Sequence, residues 1–181
     1  MHIKQISIFP DRFPATGVYP FNCPVFKNQK NLQINKNVVF FVGENGTGKS
    51  TLLKAVSNKC GIYIWRDDSY RRFDINRYEE DLYKYIEVEW SNGTVPGAFF
   101  ASEIFRHFAQ LVDEWASCDP GLLRYYGDKS LMSQSHGQCH LAFYKSRFVL
   151  KGLYLLDEPE NALSPSKQIE FLSLLERTTK S

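Results

Sequence analysis

The chain has 181 residues, about the length of one domain with a substantial core. Hydrophobic residues make up 43% of it and charged residues 23%, the proportions of a globular protein. The formal charge of +2 is too small to indicate nucleic acid as an obligatory partner, and no apolar run approaches the ~20 residues of a membrane span. The four cysteines are scattered and the start of the chain lacks the layout of a signal peptide, so we expect reduced thiols and a cytoplasmic location.

The first half of the chain begins with an alternating stretch typical of a strand, residues 3–9, followed by a proline-rich connection over residues 10–31. A continuous β-branched and aromatic run, VVFFV at residues 38–42, predicts a strand buried on both faces, as in a parallel sheet. After a glycine-rich turn, the spacing of apolar residues predicts a helix over residues 49–60.

The second half continues the alternation of strands and helices. Residues 61–65 and 83–90 are predicted strands, and residues 101–116 are a predicted amphipathic helix. The remaining predicted elements are a helix over residues 137–148, a buried strand within residues 152–160 and a helix over residues 164–178. Buried strands that alternate with helices predict an α/β domain.

Residues 43–51, GENGTGKST, match the phosphate-binding pattern G-x-x-x-x-G-K-[ST] between a predicted strand and a predicted helix. The glycines let the backbone curl so that successive N–H groups face phosphate oxygens, with the helix N-terminus behind them. Lys49 would place its ammonium on the β- and γ-phosphates, and Ser50 would offer a hydroxyl to Mg²⁺. A chance match is on the order of 1%, so the motif predicts a nucleotide site. The predicted contacts are Gly43, Asn45, Gly46, Thr47, Gly48, Lys49, Ser50 and Thr51.

The apolar run LYLL at residues 153–156 ends in Asp157 and Glu158. In a doubly wound sheet, the carboxyl ends of the strands form the edge at which ligands bind. Asp157 would hold the metal ion, directly or through water, and Glu158 would polarise the attacking water as a general base. Beside a phosphate loop, this strand end predicts the acidic half of a catalytic site.

Two of these motifs resemble those of the ATP-binding-cassette ATPases: the G-x-N-G-x-G-K-S-T form of the phosphate loop, and Asp-Glu-Pro after an apolar strand, here residues 157–159. The third mark of that family is a Ser-Gly-Gly-Gln signature shortly before the aspartate. It corresponds here to Ser135, His136, Gly137 and Gln138, with Gln138 nineteen positions before Asp157. Because His136 replaces the first glycine, the chain resembles stand-alone ATPases of the chromosome-maintenance, recombination-repair and OLD type more than transporter subunits.

The resemblance spans residues 1–181 and implies a single domain of P-loop NTPase fold. Its expected parts are a mainly parallel sheet flanked by helices, an antiparallel β subdomain and a helical subdomain at about residues 100–148. It also implies ATP and Mg²⁺ as ligands, and a homodimer in which two protomers meet head to tail around ATP. Ser135 and Gly137 of one protomer, with Gln138 beside them, would then cap the γ-phosphate bound by the other.

Three elements depart from the family pattern. The loop after the metal strand, usually Ser-Ala-Leu-Asp, is ALSP at residues 162–165 and lacks the aspartate that the family uses between subunits. No glutamine ends a strand between residues 61 and 122, so Ser102 or Glu103 would replace the family's γ-phosphate-sensing glutamine. The family's switch histidine would lie just beyond Ser181, which leaves open a short gene product or a fragment of a longer one.

Other groups of residues support weaker hypotheses. His136, Cys139 and His140, with His107 at a distance, have spacing that could hold a metal, although packing or solvent exposure is the favoured interpretation. Residues 69–78, SYRRFDINRY, interleave arginines with aromatics that could stack on nucleic acid, but neighbouring acids favour a solvated surface. The candidates for an adenine contact are Arg12, Phe13 and Tyr19, for each of which packing is an equal alternative.

The working hypothesis is a cytoplasmic Mg²⁺-dependent ATPase that drives or gates an unidentified effector of a DNA-maintenance or defence type, with nucleic acid left open as a partner. A GTPase would need an Asn-Lys-x-Asp motif downstream of the phosphate loop, which the chain lacks. A transporter nucleotide-binding subunit and a nucleotide-gated binding module with little hydrolysis remain as alternatives.

Overall fold

A computed structural model describes residues 1–65, 76–161 and 163–180. The strands are β1 (Ile3–Ile8), β2 (Asn31–Gln33), β3 (Ile86–Trp90), β4 (Gly97–Ala101) and β5 (Leu153–Asp157). The helices are α1 (Pro24–Asn28), α2 (Lys49–Lys59), α3 (Ser102–Cys118), α4 (His136–Arg147) and α5 (Pro165–Lys180), with short 3₁₀ turns at Pro10–Arg12, Asp81–Tyr85 and Pro120–Tyr126. The chain is therefore of mixed α/β class.

The chain forms two compact units. The first contains the described residues of Met1–Ile64, Ser69–Phe99 and Leu153–Asp157, and the second those of Trp65–Asp68, Phe100–Gly152 and Glu158–Ser181. Residues 43–51 and the end of β5 therefore belong to the first unit, and residues 135–138 to the second.

An antiparallel three-stranded sheet in the order β2-β1-β3 lies in the first unit. Ile6 of β1 pairs with Leu32 of β2 on one side and with Val88 of β3 on the other. The alternating residues Ile6 and Ile8 are buried, so one face of β1 supplies a core to which α2 adds its own apolar face. This sheet agrees with the predicted antiparallel β subdomain.

A separate pair of parallel strands joins β4 to β5. Leu153 N–H donates to the Pro96 carbonyl at 2.9 Å, where β5 begins. A Cβ on Gly97 would stand 2.3 Å from the Leu153 carbonyl oxygen and 2.6 Å from Ile62 Cδ1, so only glycine permits this approach.

An aromatic cluster forms the core of the second unit. Phe105 and Phe108 of α3 pack against Phe143 of α4, with ring centroids 5.6 Å and 5.1 Å from it. Tyr144, also of α4, packs against Phe171 of α5 at 4.7 Å. The high aromatic content of the chain is thus used largely in packing.

Most predicted elements are confirmed: β1, β5 and helices α2 to α5 lie where the sequence patterns place them, within a few residues. The predicted strand at residues 83–90 begins only at Ile86, because a 3₁₀ turn precedes it. The mainly parallel sheet is not formed by the described residues, in which β4 and β5 are the parallel pair.

The predicted buried strand at residues 38–42 is wrong. These residues form no strand, and Phe40 is 72% and Val42 92% exposed. The predicted strand at residues 61–65 is also wrong, because the backbone of Ile62 is used elsewhere: its N–H donates to the Ser57 carbonyl and its carbonyl accepts from Ser57 Oγ.

Two expectations concern the surface. Among the described residues, no helix combines the length and apolar character needed to cross a membrane. The arginine- and tyrosine-rich segment proposed as a nucleic-acid contact falls mostly in residues 66–75, outside the described residues. Of its described part, the Arg77 guanidinium lies 4.6 Å from the centre of the Tyr78 ring, and the hydrogen bond between these two side chains raises the pKa of Arg77.

Candidate functional site

The predicted phosphate loop, residues 43–51, lies in the first unit and is an exposed turn that leads into α2, whose first residue is Lys49. Gly46 and Gly48 have left-handed φ angles of 80° and 95°. Gly48 is the N-cap of α2, and no described side chain caps the helix there. Because the first N–H groups of a helix have no partner within it, they can receive an anion such as a phosphate.

Gly48 is required for a second reason. A Cβ at this position would stand 2.8 Å from Phe26 Cζ, a contact that real side chains do not tolerate. Phe26 lies in α1 and is fully buried. The buried Phe26 ring thus packs directly against the backbone of Gly48. The sequence pattern did not indicate this contact.

Lys49 folds back over its own loop. Its Nζ donates to the carbonyl oxygens of Gly43 and Glu44, both at 2.8 Å. These acceptors are neutral and exposed, so charged phosphate oxygens would replace them at little cost. The Lys49 ammonium is thus held against the backbone of its own loop.

The two predicted magnesium ligands meet in the first unit. Ser50 Oγ donates to Asp157 Oδ1 at 3.0 Å, although the residues are 107 positions apart. Asp157 ends β5 and is only 8% exposed, so the strand presents a largely buried carboxylate to the start of α2. A hydroxyl and a carboxylate oxygen are the hard donors that Mg²⁺ prefers, so these residues fit the ion.

The three candidates for the adenine contact differ in whether they contact the loop. The Tyr19 hydroxyl is hydrogen-bonded to the Thr51 hydroxyl at the end of the loop, and Tyr19 is 38% exposed. By contrast, the Phe13 ring packs against Phe21, and the Arg12 guanidinium lies over the Phe9 ring. Tyr19 is therefore the aromatic candidate that reaches the loop.

Glu158, the first residue of its segment in the second unit, has a left-handed backbone with φ of 49°. Ser102 Oγ donates to its carbonyl oxygen at 2.7 Å, and Asn161 Nδ2 donates to its Oε2 at 2.5 Å. Ser102, suggested as a substitute for the missing glutamine, thus contacts the backbone of the predicted general base. Glu103, the other suggestion, is the second residue of α3.

The signature residues form the N-terminus of α4. Ser135 is its N-cap: Gln138 N–H donates to Ser135 Oγ at 3.4 Å, and Ser135 N–H donates to Gln138 Oε1 at 3.3 Å. This capping box uses the side chains of both residues, while His136 and Gly137 form the first turn between them. The first turn of α4 is thus held by hydrogen bonds within the helix itself.

Asp113 of α3 holds the loop that precedes this helix. Its carboxylate accepts from Ser130 Oγ at 2.6 Å and from the N–H groups of Leu131 and Met132, both at 2.9 Å. Cys139 Sγ donates to the Leu131 carbonyl at 3.1 Å from the other side. Burial, together with the Asp113 charge, raises the pKa of the Cys139 thiol to about 12, so this cysteine is an unreactive packing group.

The histidine and cysteine cluster does not support the metal hypothesis, because no three His, Cys, Asp or Glu side chains in the described ranges are grouped so that they could hold a metal ion. His140 is buried between Phe100 and Phe105, with ring centroids 5.1 Å and 4.1 Å away. Burial, and secondarily His136, lowers its pKa to about 4. The preferred interpretation, packing, therefore agrees with the structure for His140.

The sequence interpretation missed Phe26, Asp113 and Asn161. Phe26 and Asp113 lie far from any motif, and only the folded chain brings them to the loops they support. The contact of Asn161 with Glu158 could have been predicted, because Asn161 lies three residues after Glu158, the spacing at which the first and last residues of a turn meet.

No protein-family model matches the chain, and neither a curated protein nor a solved structure is significantly similar to it. The geometry of the phosphate loop, β5 and their surroundings is therefore the basis for assigning a function.

Proposed function

We propose that the chain is a Mg²⁺-dependent ATPase with the P-loop fold of the ATP-binding-cassette type. The main support is the hydrogen bond of 3.0 Å between Ser50 Oγ and Asp157 Oδ1. It joins the end of a phosphate loop to the acidic end of a strand that is remote in sequence, as nucleotide hydrolysis requires. A glycine-rich turn without catalytic function would not need a carboxylate such as Asp157 beside it.

The residues of the loop have distinct roles in this proposal. Lys49 exchanges the carbonyls of Gly43 and Glu44 for the β- and γ-phosphates, and the first N–H groups of α2 bind the same phosphates. Ser50 and Asp157 would hold Mg²⁺ through the hydroxyl and carboxylate oxygens that are hydrogen-bonded to each other. When bound, Mg²⁺ would offset the negative charge that accumulates on the phosphates.

Glu158 follows Asp157 directly and is the proposed general base for the attacking water. Ser135 and Gly137, with Gln138 completing the cap, would bind the γ-phosphate held by a second protomer in a head-to-tail homodimer. A preformed helix N-terminus supports this role because its amides need no reordering when the anion arrives. Closure and opening of the dimer would act on an effector in the cytoplasm.

Phosphate release from Mg-ATP tests the proposal. Lys49→Ala should lower kcat/KM by about 100-fold, since it removes a charged donor to the transferred phosphate. Glu158→Gln should lower kcat by about 100-fold or more with ATP binding retained. Lys59→Ala at the exposed end of α2 and Glu160→Gln are matched controls that should leave the rate unchanged.

Binding of ATP without phosphate release by the intact chain would overturn the hydrolytic part and favour a nucleotide-gated module. The dimer is tested separately by size-exclusion chromatography of Glu158→Gln with and without Mg-ATP. A shift to twice the mass with Mg-ATP is expected, and it should be lost in Glu158→Gln/Ser135→Ala. An unchanged monomer would contradict the head-to-tail arrangement.

A further inference from the structure

Glu158 has one of the two left-handed backbone conformations found among non-glycine residues in the described ranges. Such a conformation is strained for a residue with a side chain, and it persists only where its surroundings enforce it. Strain of this kind concentrates at functional sites. The question is which groups hold Glu158 in this state.

Pro159 disfavours the right-handed helical conformation at Glu158. A residue before proline is disfavoured in the right-handed α region because the proline ring clashes with its backbone. Pro159 also occupies the second position of the turn closed by Asn161 N–H, which donates to the Glu158 carbonyl at 3.2 Å. The turn therefore begins at Glu158, the residue that follows β5 in the chain.

Ser102 anchors the same carbonyl from another part of the chain. Its Oγ, at the first residue of α3, donates to the Glu158 oxygen at 2.7 Å, the shorter of the two bonds to that atom. The residues are 56 positions apart, so this bond fixes the turn against α3.

Asn161 orients the side chain as well as the backbone. Its Nδ2 donates to Glu158 Oε2 at 2.5 Å, so one carboxylate oxygen is held. Within the described part of the chain, Oε1 has no such donor. A carboxylate with one oxygen held and the other without a donor among the described residues can accept a proton from water as a general base.

We propose that Ser102 and Asn161 are positioning residues for Glu158: Ser102 holds its backbone in the left-handed conformation and Asn161 holds one oxygen of its carboxylate. This proposal rests on the proposed hydrolytic role of Glu158. It assigns Ser102 to the general base, whereas the family resemblance suggested it as a γ-phosphate sensor.

Kinetics of ATP hydrolysis by the intact chain provide the first test. Asn161→Ala should lower kcat by about 10- to 100-fold with KM for ATP within about twofold, since only the orientation of the base changes. Ser102→Ala should lower kcat in the same way, and Ser102→Thr, which keeps the hydroxyl, should restore it. Glu160→Gln, in the same turn, is the control with unchanged kcat. An unchanged kcat in Asn161→Ala, or equal loss in Ser102→Ala and Ser102→Thr, would overturn the assignment.

Thermal unfolding provides a second test that does not depend on activity. Because residue 158 is left-handed, Glu158→Gly should melt about 3 °C above Glu158→Ala, since glycine adopts this conformation without strain. Equal Tm values would overturn the enforced backbone. Failure of the intact chain to release phosphate, with the Tm difference present, would instead overturn the proposed function and leave the backbone anchor in place.

Discussion

Two apolar runs, VVFFV at residues 38–42 and LYLL at residues 153–156 in β5, immediately precede the two halves of the candidate site. Their patterns predict the same structure, yet only the second is a strand. β5 has β4 as a neighbour, and Leu155 is 8% exposed. Residues 38–42 have no paired strand in the described residues, and Phe40 is 72% exposed. An apolar run specifies that burial is favourable, but the availability of a neighbouring strand decides whether it occurs.

The largest expected effect separates the two runs directly. Leu155→Ala should destabilise the protein by about 3 kcal/mol, because it removes a buried side chain and leaves a cavity. Phe40→Ala should change stability by no more than about 0.5 kcal/mol, since its ring is mostly in solvent already. Urea unfolding measures both. A comparable loss in Phe40→Ala would show that residues 38–42 are buried after all, and would remove the contrast.

The second prediction concerns a substitution that disturbs the pairing of β5 with β4. Gly97→Ala would place a Cβ 2.3 Å from the Leu153 carbonyl oxygen, so we expect a loss of about 2 kcal/mol as the strands move apart. Gly17→Ala is the matched control, because nothing lies within 4 Å of its added Cβ. The two Tm values should differ by several degrees, and equal values would contradict the close approach.

A smaller effect concerns the polar end of β5. Ser50→Ala removes the donor to Asp157 Oδ1 and should cost about 1 kcal/mol of stability without nucleotide. It should also weaken the increase in Tm that Mg-ATP produces, because the proposed metal site loses a ligand. Ser166→Ala, at an exposed serine in α5, is the control. An undiminished Mg-ATP shift in Ser50→Ala would argue against the metal site.

The smallest expected effect on stability comes from an ion pair that lies outside both apolar runs, between Lys145 and Glu170. Lys145 and Lys167 hold the pKa of Glu170 down to about 2, each at 2.7 Å from its carboxylate. Because the folded pKa lies below the unfolded value, this contribution is present above about pH 4.5 and is lost as the pH falls toward 2. Lys145→Ala should cost less than ~1 kcal/mol at pH 7, as solvent screens this exposed pair. Its Tm difference from the intact chain should shrink as the pH falls from about 4.5 toward 2, and a difference that stays constant over this range would contradict the ionic origin.

Sequence patterns identified the helices better than the strands. The spacing in residues 101–116 and 137–148 is satisfied within each helix, so α3 and α4 form close to the predicted bounds. Strands depend on partners that the local sequence does not specify, and two of the five predicted ones, residues 38–42 and 61–65, were wrong. The capping role of Ser135 was predictable for the same local reason.

The sequence by itself determined the chemistry offered by this protein: a glycine-rich loop with Lys49 and Ser50, an acidic strand end, and a serine-capped helix. These are properties of residue type and short spacing. Only the tertiary structure decided that Ser50 meets Asp157, that Phe26 lies against Gly48, and that Ser102 donates to the Glu158 carbonyl. These contacts join positions whose proximity depends on how the elements pack, and packing is a property of the whole chain.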